Sequence, residues 1–247
     1  LLPPLSVVIP AYNEQERLPA SLEKVAAFLN EQIDGPSEIL VVDDGSTDGT
    51  FESARRAGAG LENEQLRVTV LDNGRNRGKG YSVRNGISQS RYPWVLFTDA
   101  DLSAPIEECP KLFAAVQEQG CDVAIGSRAV DRSLIGVHQS LFREAMGRVF
   151  NLAVRIGTGL PFKDTQCGFK LFSEKAARDI FSRQLLEGFG FDVEVLYLAK
   201  KFGYPAAEVP VRWDHCEGTK VRMFSGADAF IDILRVRAND WTGKYRK

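Results

Sequence analysis

Short apolar runs and amphipathic stretches alternate along the first half of the chain. Leu5 to Ile9 is a strand-like run stopped by Pro10, and Ala11, Tyr12, Asn13 and Glu14 follow it as a loop. Leu18, Leu22, Val25 and Leu29 then recur at helical spacing and share one face. Ile39 to Val42 predicts a second strand, ending in the polar run Asp43 to Thr50. There Ser46 or Thr47 is placed to cap the next helix, with Asp48 in its first turn. Arg67 to Leu71 reads as a third strand, Tyr81 to Ser90 as a helix and Trp94 to Phe97 as a buried strand. Pro105 to Gln119 follows as a helix, and Asp122 to Ile125 as a strand closed by Gly126, Ser127 and Arg128. This alternation predicts an α/β fold, a mainly parallel, doubly wound central sheet flanked by helices, with polar loops at the strand ends.

The second half is less regular. Gln139 to Ile156 predicts a helix with Leu141, Ala145, Val149, Leu152 and Ile156 along one face, widened by Phe142, Met146 and Phe150. Asp164 to Phe172 reads as a loop feeding a strand, Glu174 to Phe181 and Phe191 to Phe202 as helices, Ala207 to Trp213 as a strand, and Ser225 to Trp241 as a final amphipathic helix. A chain of 247 residues with this mixture predicts one domain.

The chemistry concentrates at Pro93 to Ser103, where the apolar strand ends abruptly in Thr98, Asp99, Ala100 and Asp101. In a strand-like backbone Asp99 and Asp101 share a face, at the carboxyl end of a strand, where open α/β sheets bind ligands. Two like charges side by side call for a cation or a proton, and hard oxygen donors with room for phosphate suit Mg2+ or Mn2+. A basic loop, Arg75, Arg77 and Lys79, with Arg84 one turn into the following helix, is placed to meet a diphosphate if it lies beside those strand ends. Tyr12 offers an aromatic face for a nucleobase, and Asp44 a carboxylate to accept from a ring N–H. The glycines of this loop fit neither a phosphate-binding P-loop nor the G-x-G-x-x-G turn of dinucleotide folds, which disfavours a dehydrogenase.

Composition narrows the setting. With 31 basic and 33 acidic residues the net charge is −2, so nothing global points to nucleic acid. Cys109, Cys121, Cys167 and Cys216 show no C-x-x-C spacing and His138 and His215 are the only histidines, which argues against structural zinc and fits a reducing cytosol. No apolar run reaches the ~18 residues of a membrane span.

Five segments, Val7 to Glu14, Val41 to Thr50, Asn76 to Gly80, Asp99 to Ser103 and Gly126 to Arg128, together resemble family 2 of the glycosyltransferases, with its Rossmann-like GT-A fold. Asp164 to Phe172, Phe191 to Phe202 and Trp213 to Lys220 are similar to the dolichyl-phosphate β-glucosyltransferases within it. The general plan also resembles dolichyl-phosphate mannosyltransferases. The resemblance implies a nucleotide-binding half at 1–130 and an acceptor-binding half at 131–247. It puts Pro10, Tyr12, Glu14, Val42 and Asp44 around base and ribose, Asp99, Ala100 and Asp101 at ribose, sugar and metal, and Arg128 and Lys220 near phosphates. Ser103 stands where some mannosyltransferases carry Gln on the metal side.

The expected activity is inverting, metal-dependent transfer of glucose from UDP-glucose to a polyprenyl phosphate, dolichyl or undecaprenyl. Asp101, Lys79, Arg128 and Lys220 would meet charge on the departing diphosphate. Asp192 and Glu194 are the candidate general bases should the acceptor be a hydroxyl, and Asp164 and Gln166 the candidate sugar contacts. The helix from Gln139, with Arg143, Arg148 and Arg155, is placed to lie on a membrane, which implies peripheral attachment to its cytoplasmic face. Three alternatives stand beside this reading: GDP-mannose as donor, a soluble hydroxyl acceptor, and a non-catalytic nucleotide-sugar sensor.

Overall fold

The β-branched runs near the start of the chain cannot satisfy their backbone polar groups alone, and they do so by lying side by side. A computed structural model, which describes residues 1–137, 141–215 and 225–246, pairs β1 (Leu5–Ala11) in parallel with β2 (Ser37–Asp43) and with β4 (Trp94–Thr98). β3 (Leu66–Asp72) flanks β2. Beyond β4 come β7 (Phe169–Ser173), β5 (Val123–Ser127) and β8 (Ala206–Pro210), so the strand order is β3-β2-β1-β4-β7-β5-β8. The order reverses beside β1, which makes the gap between the ends of β1 and β4 the switch point of the sheet. β7 alone runs antiparallel, to both β4 and β5. A short parallel pair, β6 (Ile135–Val137) with β9 (Trp213–Asp214), stands apart.

Alternate strand residues feed two cores. Val7, Ile9, Ile39, Val41, Leu96 and Leu171 pack under α1 (Leu18–Gln32), α2 (Thr50–Leu61) and α4 (Cys109–Gln119). Val8, Val42, Val95, Phe97 and Phe172 face the other way, toward α3 (Lys79–Gln89), α5 (Leu141–Thr158), α6 (Glu174–Phe181), α7 (Phe191–Lys201) and α8 (Ser225–Trp241). This two-residue alternation is what places a strand between two helical layers. The expected face of α1 holds, since Leu18, Leu22, Val25 and Leu29 are all buried.

Several boundaries differ from expectation for local reasons. The cap position of α2 is neither Ser46 nor Thr47 but Gly49, and Asp48 just before it accepts from the Thr50 N–H at 3.0 Å and from its hydroxyl. Pro105 is extended, so a 3-10 turn at Ile106–Glu108 precedes α4. The strand expected at Ala207 to Trp213 is two pieces, ending at Pro210 and resuming at Trp213 to pair with β6. On α5 the predicted stripe points outward. Phe150 and Val154 are buried, whereas Met146, Val149, Leu152 and Ile156 are exposed, Ile156 by 78%. Among the described residues, no helix is long and apolar enough to cross a membrane. His138, Cys216 and Lys220 lie outside the described residues, as do the side chains of Phe142, Arg143 and Arg148.

α3 approaches the sheet at a glycine. A methyl group on Gly86 would stand 2.5 Å from Val8 Cγ1 and 3.0 Å from Val42 Cγ2. Gly86→Ala is therefore expected to cost about 1 to 3 kcal/mol by overpacking, read as a lower urea midpoint at unchanged slope.

Candidate functional site

The carboxyl end of β4 is held from three sides. Thr98 ends the strand, and the chain turns at once: the Leu102 N–H donates to the Asp99 carbonyl at 3.1 Å, and Leu102 takes a positive φ of 47°. Asp99 and Asp101 thus leave the sheet on a turn, not on a continued strand. Ser21 of α1 donates to the Ala100 carbonyl at 2.7 Å, and Ser103 N–H donates to Asp101 at 3.0 Å. Gly168, just before β7, presses on the turn so closely that a methyl group there would lie 2.1 Å from Asp99 Oδ2. The Asp99 N–H donates to the Gly168 carbonyl at 3.2 Å.

Lys79 opens α3 and reaches this turn, with its Nζ 2.6 Å from Asp99 Oδ1 and its side chain only 16% exposed. The Gly78 N–H, in turn, donates to Asp44 at 2.8 Å. Burial opposes the charge of Lys79, but Asp99, then Asp192 and Asp101, hold its pKa above the ordinary lysine value. The aromatic rings of Phe97 and Phe191 lie about its ammonium, at 5.8 and 6.0 Å from ring centroid to Nζ.

Two further ion pairs complete the cluster. Arg128, after β5, makes a bidentate pair with the buried Asp164 at 2.7 and 2.9 Å, and its guanidinium lies over Trp213. Burial works against the Asp164 charge, yet Arg128 keeps that carboxyl below its usual range. Lys170 of β7, fully buried, donates to the Cys167 carbonyl at 2.7 Å and to Asp192 of α7. Gln166 is half-buried beside the first pair, with its N–H on Asp164 at 3.1 Å. Burial pushes the neighbouring Cys167 thiol up to about 12, so it stays a packed thiol.

Several expected roles do not fit this geometry. Asp164 is committed to Arg128 and to backbone N–H groups, which makes it a brace and not a free sugar ligand. Glu194 accepts from the Leu185 and Leu186 N–H groups and from the Tyr245 hydroxyl at 2.6 Å, which ties it to the backbone of that loop and to the end of the chain. Burial raises its pKa. Asp192 is engaged by Lys170 and cannot act without disturbing that pair.

Around the switch point the expected nucleotide residues separate into two kinds. Tyr12, beyond the end of β1, is exposed, with Pro10 and Glu14 half-buried beside it. Asn13 holds this loop to the next one by accepting from the Thr47 N–H at 2.8 Å, and Glu14 is paired with Arg17. Val42 buries its side chain under Gly86, so it offers a ligand no side-chain atom. Asp44 is likewise buried and clamps the basic loop, accepting from Arg77 N–H at 2.9 Å, Gly78 N–H at 2.8 Å and Asn73 at 2.8 Å. That is a different use from meeting a nucleobase. Arg77 and Arg84 point to Glu187 and the Gln184 carbonyl, leaving Lys79 as the loop's reach into the acidic turn.

Lys79, Arg128 and Lys170 thus face Asp99, Asp101, Asp164 and Asp192 in one interacting cluster of formal charge minus one. Among the described residues, no group of three or more His, Cys, Asp or Glu could hold a metal by itself. Two carboxylates on a turn, completed by phosphate oxygens and water, are nonetheless the donor set Mg2+ and Mn2+ take beside nucleotides. The residues present fit such an ion. Three supports were not read from the sequence: Lys170, Gly168 and Ser21. The only signal was a lysine inside the otherwise apolar Phe169 to Phe172.

Known proteins resemble this chain in sequence and in fold. Residues 6–181 match the family model described as glycosyl transferase family 2. The dolichyl-phosphate beta-glucosyltransferase of Drosophila melanogaster is 37% identical over 96% of this chain and 76% of its own length. That of Homo sapiens is 36% identical over 98% and 77%. The crystal structure of glucosyl-3-phosphoglycerate synthase from Mycobacterium tuberculosis, in complex with Mn2+, UDP and phosphoglyceric acid, shares the fold. Its TM-score is 0.68 at 18% identity, covering 97% of this chain and 78% of that one.

The Arg128–Asp164 brace gives a pH-dependent prediction. Because the folded carboxyl lies below its usual range, its contribution is complete above that range and is lost as pH falls through the depressed value. Asp164→Asn is expected to lose on the order of 3 kcal/mol in urea unfolding at neutral pH. The gap to the unaltered protein should hold down to about pH 5 and narrow below about pH 4.

Proposed function

Because the chain belongs to glycosyl transferase family 2 and is a glycosyltransferase, we propose that it moves glucose from UDP-glucose to a polyprenyl phosphate, with inversion at the anomeric carbon. The observation that carries this reading is the turn bearing Asp99 and Asp101 at the switch point, faced by Lys79 and Arg128. The naming of the fly and human relatives as dolichyl-phosphate beta-glucosyltransferases supports the donor and acceptor classes. Residues 1–130 would hold the nucleotide and residues 131–247 the acceptor.

Asp99 and Asp101 would hold the Mg2+ or Mn2+, a choice of ion supported by the Mn2+ found with UDP in the mycobacterial synthase. Once bound, the ion supplies Lewis-acid neutralisation of the diphosphate. Tyr12, exposed beyond β1, stacks on the base, and Asp44 acts indirectly by fixing Gly78 and so the start of α3. Lys79 and Arg128 meet the negative charge that collects on the diphosphate as the sugar–oxygen bond breaks. The acceptor phosphate, with a second pKa near ~6, is already largely a dianion at neutral pH. One of its oxygens forms the new bond to the anomeric carbon as the diphosphate takes the old bonding pair. No proton need be removed, which accords with a site whose two candidate bases are tied up as described.

The outward stripe of α5, Met146, Val149, Leu152 and Ile156 beside exposed Arg155, would rest on the bilayer that carries the acceptor. α8 adds exposed Leu234 and Trp241.

The activity is tested with radiolabelled UDP-glucose and GDP-mannose, each offered with polyprenyl phosphate and Mn2+, followed by organic extraction. Label from UDP-glucose is expected in the lipid phase, and Asp101→Asn should lower that rate by roughly a hundredfold or more. Label only from GDP-mannose would overturn the sugar assignment, and label from neither would overturn the acceptor. In flotation with anionic vesicles the protein should rise with the lipid, and Leu152→Glu with Ile156→Glu should leave it at the bottom.

A further inference from the structure

The strongest unexplained feature of the site is that its acidic turn already has a cation. Lys79 Nζ lies 2.6 Å from Asp99 Oδ1, and Asp192 and Asp101 add to the field it feels. The ammonium is not there by accident of a flexible stem. Gly78, at a φ of 101°, fits under the Glu187 carbonyl, where a methyl group would lie 2.4 Å from the oxygen. Asp44 anchors the N–H groups of Arg77 and Gly78 on the side facing β2. The first turn of α3 is thereby fixed, and the Lys79 side chain runs inward beside the contacting rings of Phe97 and Phe191 to Asp99.

Resting on the functional reading above, we propose that Lys79 is the resident counter-cation of Asp99 and Asp101 and sets the order of assembly. It keeps the affinity for a divalent ion low until a nucleoside diphosphate gives the ammonium a second partner. An approaching divalent ion meets a carboxylate that is already paired and a positive charge held beside it, and both oppose its binding. A diphosphate brings negative oxygens on which Lys79 can share its charge, so Asp99 becomes available to the ion. Metal and nucleotide then bind with positive coupling, and the coupling is reciprocal by linkage.

The groups facing Lys79 come from different elements: Asp99 and Asp101 from the turn after β4, Asp192 from α7, and the rings of Phe97 and Phe191 from β4 and α7. A methionine fits this partly aromatic slot and removes only the charge, while an arginine keeps the charge.

Isothermal titration of MnCl2 into the whole chain, with and without UDP, tests the proposal. The unaltered protein should bind Mn2+ weakly alone and at least about tenfold more tightly with UDP. Lys79→Met should bind Mn2+ alone at least about tenfold more tightly than the unaltered protein, with a smaller further gain from UDP. Lys79→Arg should stay weak, and Lys79→Gln, checked by circular dichroism, serves as a second neutral variant should Lys79→Met fail to fold. Neutral variants that bind Mn2+ alone no more tightly than the unaltered protein would overturn the proposal. Absence of UDP binding in the presence of Mn2+ would instead overturn the functional reading, and the titrations with Mn2+ alone decide the role of Lys79 in either case.

Discussion

Everything near the end of β4 depends on keeping like charges together at the half-buried end of a strand. Asp99 and Asp101 leave one turn, Asp192 and Asp164 approach from α7 and from the segment before β7, and no such group of carboxylates persists without compensation. Lys79, Lys170 and Arg128 provide it, each delivered by a different element and each oriented by a hydrogen bond or ring beside it. The sheet's role is to fix the distances. The small residues Gly168 and Gly78 let the backbone segments come close enough for the pairs to form.

This arrangement also explains how parts of the chain distant in sequence act as one site. α1 reaches the acidic turn through Ser21, β7 through Gly168, and α3 through Lys79. Asp44 never touches that turn, yet it anchors the loop that starts α3. Glu194 plays a comparable part further off, tying the Leu185 to Leu186 backbone to Tyr245 at the far end of the chain.

Local chemistry made much of this legible in the sequence. Short continuous apolar runs and apolar residues at helical spacing located the strands and α1, and the abrupt passage from Phe97 to Asp99 marked the site. What could not be read was the direction and partner of a side chain. Asp164, Asp192 and Glu194 look equally available on paper. In the fold the first two close ion pairs and the third binds backbone. The stripe on α5 had the right spacing, but spacing cannot say which of its two apolar edges turns inward. Phe150 and Val154 do so because Phe230 and Ile233 of α8 wait there. Lys170 was hidden for the opposite reason, since a charge in a buried strand is expected only when a distant residue receives it.

The reversed direction of β7 has a bearing on how such a protein can diversify. Because this strand runs opposite to β4, the chain arrives through Gly168 at the same corner it left through Asp99. The segment between Thr158 and Gly168 returns to that corner carrying Asp164, which braces Arg128, and the Cys167 carbonyl, which receives Lys170. Any change of length there has to keep both of those pairs, so the outer rim of this corner evolves under the same constraint as the charges it encloses.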